Sequence, residues 1–211
     1  MKEKEMTPQE SMEIITEMIQ ETHRRTPTLR LRTSVMWATL TIVTTAAFWA
    51  SMRTTGDLRS LFVWLAIPTV GLPLNYLMVR RGRADETARS RTEAVIGQMW
   101  CVIAGLGAAL AAVCLAIHLL TTPGVWLAML LYAFIAVGAG AMMQGLLAGE
   151  RSFVWGGWTS MLTGFALCGA SFSHALPKGD VVLSLFALCF VLMFILPVCV
   201  VRRKRKSQPL S

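Results

Sequence analysis

The apolar stretches of this 211-residue chain hold no carboxylate: all 12 Asp and Glu residues fall in tails, loops or the ends of those stretches. Proton relays and cation sites inside membranes are built from such groups, so a proton-coupled or sodium-coupled pump is disfavoured. No HExxH, GxSxG or Walker loop occurs, and the chain is read as not an enzyme. The five cysteines, at 101, 114, 168, 189 and 199, form no CxxC pair and have no partner in an external loop. Reduced thiols packed as small hydrophobes are expected, with no metal and no cofactor. Charge is scarce too, at 15% of residues.

What the chain has in abundance is hydrocarbon. Hydrophobic residues make up 55%, gathered into runs of about 20, the length that crosses a bilayer core. The predicted fold is all-α, a polytopic membrane helical bundle of six transmembrane helices at about 34–50, 60–79, 94–120, 125–148, 153–173 and 181–201, plus an N-terminal amphipathic cytoplasmic helix. Residues 1–32 form that helix and a basic juxtamembrane segment, 33–201 the membrane domain, and 202–211 a basic tail. Because a long polar stretch precedes the first apolar run, a cleaved signal peptide is not expected.

The N-terminal helix opens at Thr7, Pro8 and Glu10, a capping-box pattern, and should run to about His23. Met12, Ile15, Met18 and Ile19 follow helical spacing on one side, while Glu10, Glu13, Glu17 and Glu21 line another. An acidic polar face disfavours flat docking on anionic lipid, so these four apolar residues are the candidate docking face for a protein partner, or simply pack on the protein's own loops.

In the first span Trp37 and Trp49 are placed as interface anchors, and Thr39, Thr41, Thr44 and Thr45 suggest a side that faces protein. The second holds Pro68, Gly71, Pro73 and Asn75. Each proline removes a donor, so a kink or break is expected there, a possible transport site or a packing irregularity. In the fourth, Ala141, Gly145 and Gly149 recur every four residues, a seam where a neighbouring helix approaches closely. His118 and His174 both fall at outer helix ends, where Asp180 is the nearest further ligand; interfacial histidines of no special role are the simpler reading.

Orientation follows from charge. Of the 20 Lys and Arg, only Arg53, Arg59 and Lys178 lie opposite the side shared by the N-terminus, the 80–91 loop, the 150 turn and the C-terminus. Both termini are therefore expected in the cytoplasm. The net charge of +8 thus reflects membrane orientation, and no nucleic-acid partner is inferred. The lipid bilayer is the one partner implied directly; a cytoplasmic or membrane protein partner and a homo-oligomer stay open.

Four segments carry a resemblance: TPQESMEIITEMI at 7–19, LFVWLAIPTVGLPL at 61–74, VIGQMW at 95–100 and SFVWGGWTSML at 152–162. In order and spacing the chain resembles a family of small six-span inner-membrane proteins found mainly in Bacteroidota. That family has no established activity, so the resemblance implies a fold and the bacterial inner membrane, a regulatory or stress-response setting, and no catalytic residues. The expected function is a regulatory or accessory subunit acting through its cytoplasmic face. The alternative is a small-molecule transporter or channel that uses the second helix.

Overall fold

The computed structural model describes residues 8–56, 58–83, 91–120 and 126–206, and every regular element among them is helical. Helix α1 spans Pro8–Thr55. A 3₁₀ segment, Leu58–Leu65, leads into α2, Ala66–Arg83. Then come α3, Arg91–Leu120, and α4, Trp126–Tyr132, which continues through a π turn, Ala133–Val137, into α5, Gly138–Ala148. Helix α6 spans Arg151–Phe172; α7, Gly179–Phe190, passes through a second π turn, Val191–Ile195, into α8, Leu196–Lys206.

One expectation changes here, and the helical, membrane-length character of the bundle is met. The N-terminal helix and the first span are one continuous helix of 48 residues, about 72 Å at 1.5 Å per residue, more than twice the hydrocarbon thickness. Its N-terminal part thus extends the axis of the span. Five stretches are long and apolar enough to cross a membrane: 31–55, 62–81, 92–117, 127–148 and 179–203. Helix α6 is long enough, at 22 residues, but is not among the five.

The reason is its position. Helix α6 packs along α5, both π turns, α7 and α8, and its buried face is built from Gly156, Gly157, Ser160 and Gly164 between Phe153 and Leu167. Small residues dilute hydropathy, yet they are what close packing in lipid requires. A Cβ placed on Gly157 would lie 2.5 Å from the Gly138 carbonyl oxygen and 2.6 Å from the Met142 nitrogen; one on Gly145 would lie 2.8 Å from the Val154 nitrogen. On the other side Gly156 meets the Leu192 carbonyl, and Gly164 receives Phe134 and Ile135. Both π turns therefore rest on glycines of α6. The opposite face of α6 carries Trp155, Leu162 and Phe165, all exposed.

Each π turn has a local partner or cause. A π turn loosens the carbonyl ladder, and Ser160 Oγ, fully buried, donates to the Phe134 carbonyl at 2.9 Å. The second π turn ends two residues before Pro197, where a wider turn accommodates the missing N–H. Between α5 and α6 the chain reverses in two residues. Gly149 caps α5 at φ +70°, and the Glu150 N–H reaches back to the Gly145 carbonyl at 2.9 Å.

Phe186, Phe190 and Phe194 recur every four residues along α7 and its π turn. They link Trp64, 5.6 Å from Phe186 between ring centres, to Trp100, 6.1 Å from Phe194. Phe134 joins at 5.3 Å from Phe186. This aromatic spine ties the 3₁₀ segment and the early part of α3 to the C-terminal helices.

Gly157→Ala should destabilise the bundle by about 1–3 kcal/mol, because the obstructing atoms are backbone and cannot swing aside. Gly169→Ala, where nothing lies within 4 Å, should be neutral or stabilising by up to about 1 kcal/mol. Unfolding in mild detergent compares them; equal stabilities would remove the α5–α6 contact from its central place.

Candidate functional site

Helices α2 and α3 follow one another in the chain but do not pack together. Helix α2 lies on α1 and the 3₁₀ segment, whereas α3 lies on α4, the first π turn and α5. Between them opens a cleft of about 2260 Å³, walled by α1, α2, α3 and α7. Ordinary small-molecule pockets hold about 300–1,000 Å³, so this one is sized for long chains. The aromatic spine forms its floor, since Trp64, Phe186, Phe190, Phe194 and Trp100 all line it.

Its two side walls differ. Helix α3 presents small residues at alternating steps of three and four: Ala94, Gly97, Cys101, Ala104, Ala108 and Ala111. The α1 wall carries bulk, Trp37 and Phe48, with hydroxyls of Thr33, Ser34 and Thr41. The Thr45 hydroxyl donates within its own helix to the Thr41 carbonyl at 2.7 Å, which removes one polar group from the apolar interior.

Each end of the cleft has a polar cluster. At the end reached by the start of α3, Trp100 Nε1 donates to Gln144 Oε1 at 2.9 Å, and Gln144 Nε2 donates to Ser34 Oγ at 3.4 Å. An indole N–H can only donate, so the amide oxygen must face Trp100 and the NH₂ must face Ser34. Gln144 is 6% exposed, and its bonds join α1, α3 and α5. Asn75, Glu93 and Gln98 line this same end.

At the other end Asp180, in the first turn of α7, accepts from Trp49 Nε1 at 2.9 Å and from Arg53 Nη2 at 2.6 Å. The Arg53 guanidinium also stands 5.2 Å from the centre of the Trp49 ring. A carboxylate at a helix N-terminus suits the macrodipole, and here it fastens the end of α1 to the start of α7. Asp180 is thus committed to Arg53 and Trp49, and Trp49 is more than an interface anchor.

The residues singled out in the sequence fall in several places. Pro68 and Asn75 line the cleft. Gly71 makes room for the Trp37 ring, which a Cβ there would strike, and Pro73 lies within α2. Helix α2 runs unbroken from Ala66, so the irregular backbone sits ahead of Pro68, in the 3₁₀ segment. Ala141 and Gly145 are buried in the α5 seam, whereas Gly149 is the cap and meets nothing within 4 Å.

Met12 is 70% exposed; the side chains of Ile15, Met18, Ile19 and His118 lie outside the described residues. His174 occupies a left-handed turn, φ +54°, after α6. Among the described residues no three His, Cys, Asp or Glu gather as a metal site. None of the cysteines is in a disulfide; Cys114 and Cys189 are buried, but Cys101 and Cys199 are exposed.

The two polar clusters were legible only in part. Gln144 stands out as an amide inside an apolar run, yet nothing in sequence pairs it with Trp100, 44 residues away, or with Ser34, 110 away.

The Arg53–Asp180 pair is half exposed, so its coupling should be modest, about 0.2–1 kcal/mol, and should weaken in high salt. A double-mutant cycle of Arg53→Gln and Asp180→Asn, read by unfolding at low and high salt, measures it. A coupling of zero at both would make the clamp a bystander.

No family model, curated protein or solved structure matches the chain.

Proposed function

We propose that the protein is a multi-pass protein of the bacterial inner membrane that accepts the hydrocarbon chains of a membrane amphiphile into its cleft through the gap between α2 and α3. The observation that carries this reading is the cleft itself: about 2260 Å³, with largely apolar walls, where Thr41 and Tyr132 contribute hydroxyls, and with its charged and amide side chains gathered at the ends. That distribution mirrors an amphiphile. A partner helix fits less well, because close helix contact in lipid needs small residues, and the α1 wall sets the bulky Trp37 and Phe48 opposite the small-residue face of α3. The reading belongs to the class of small-molecule carriers rather than enzymes, and it moves the working site from the proline-bearing α2 alone to the space between α2 and α3.

Six spans, with α6 as the fifth, and both termini in the cytoplasm complete the proposal. At 22 residues α6 measures about 33 Å, enough to cross, and seventeen of the 20 Lys and Arg then share one side. Were α6 not to cross, the basic stretch 202–206 would lie outside.

A second reading, an accessory subunit docked through its cytoplasmic face, is favoured by α1 alone. That helix continues unbroken beyond the membrane toward Pro8, with Met12 exposed, and offers a handle to a partner.

Filling the cleft tests the first reading. Native mass spectrometry of the detergent-released protein should find retained lipid on the wild type and little on Ala104→Trp or Ala108→Trp, while Leu106→Trp, on the outer face of α3, keeps it. Lipid retained equally by all four proteins contradicts the proposal. Topology is checked in a cysteine-free background: Lys178→Cys should react with an impermeant maleimide in intact cells and Ser207→Cys only after lysis. The reverse pattern would mean five spans.

A further inference from the structure

The two ends of the cleft are chemically unlike. At the Asp180 end the charges neutralise one another and the Trp49 N–H is taken up by the same carboxylate. At the Gln144 end the amide NH₂ carries two hydrogens, of which Ser34 takes one; no second acceptor is found among the described residues. Gln144 and Ser34 are 6% and 7% exposed, yet both line the cleft. The Gln144 Nε2 bond to Ser34 is long, at 3.4 Å, so a cleft occupant that brings an oxygen to the second hydrogen adds a bond where little water competes for it.

The surrounding groups define what that oxygen belongs to. The lining at this end supplies amides, from Asn75, Gln98 and Gln144, hydroxyls, from Thr33 and Ser34, and the carboxylate of Glu93. Among the described residues it includes no Lys or Arg. Phosphate is recognised by charge-assisted donors, which this lining does not offer among the described residues. Amides both donate and accept, which matches hydroxyl and ester groups.

We infer that the Gln144 end of the cleft is a headgroup subsite for an uncharged, hydroxyl-bearing lipid of the diacylglycerol type, an inference that rests on the reading of the cleft as an amphiphile site. The headgroup oxygen accepts from Gln144 Nε2, and its hydroxyl meets the amides of Asn75 and Gln98 at the mouth. Gln144 is held for this by Trp100, whose N–H fixes the amide orientation.

Tryptophan quenching tests it. Trp126, Trp155 and Trp158 are replaced by Phe, which removes the exposed Trp155 and Trp158 and leaves as reporters the cleft residues Trp37, Trp49, Trp64 and Trp100. The protein is placed in phosphatidylcholine vesicles doped with dibrominated diacylglycerol, phosphatidylglycerol or phosphatidylcholine. Brominated diacylglycerol should quench at a several-fold lower mole fraction than the other two, and Gln144→Leu should erase that preference. Equal quenching by all three lipids overturns the headgroup subsite while leaving the cleft a lipid site. Absence of quenching by any of them overturns the cleft reading as well. Gln98→Leu and Asn75→Leu keep the test decisive if Gln144→Leu fails to fold: each should weaken the preference, and an unchanged preference in both contradicts the assignment.

Discussion

The backbones of α5 and α6 approach so closely that no side chain fits between them at Gly145 and Gly157, and barely at Gly138. In lipid this contact cannot draw on water exclusion, because hydrocarbon surrounds the helices in either state; its strength comes from dispersion and from the shape match of small residues. Much follows from that one constraint. Helix α6 must be poor in large apolar side chains on its inner face, and its hydropathy falls accordingly. Its remaining glycines then receive the two π turns, and Ser160 bonds the carbonyl that the first of them loosens. The half of the bundle from α4 to α8 is packed solid around this helix.

The other half is not. Helix α1 joins the core through α7 and its π turn, with buried Thr41, Thr44 and Thr45 on the contact side, but α2 and α3 are held from one side each. Their apolar surface is exposed nearly throughout, since about 6% of either span is buried. The space between them is bounded below by an aromatic floor and at its ends by Gln144 and Asp180. A solid core beside an open flank is an arrangement suited to admitting something from the bilayer without unpacking the fold.

Periodicity made the helices legible, and charge made the orientation an argument, because both act residue by residue. The glycine seam was partly visible for the same reason: Ala141 and Gly145 repeat at helical spacing. Gly149 fits the spacing but not the role, since a residue at a helix end is claimed by the turn. Gly156, Gly157 and Gly164 could not be recognised as the matching surface, as a glycine in an apolar run carries no sign of which helix it meets. The irregular backbone of the second span was expected at Pro68 to Asn75 and lies earlier, at Leu58–Leu65. A proline tells which donor is missing, not how the neighbouring turns adjust. The cleft left no local mark at all, because it is the absence of contact between two helices that are consecutive in sequence.

The central claim is that α2 and α3 stand apart in a bilayer with lipid between them. Its most direct test is electron cryomicroscopy of the protein in a lipid nanodisc, carried by a bound antibody fragment. The account predicts an open cleft with elongated, unbranched density running along the Trp37, Trp64 and Phe186 wall and ending near Gln144. Helix α2 packed against the small-residue face of α3, with no chain density between them, would contradict it.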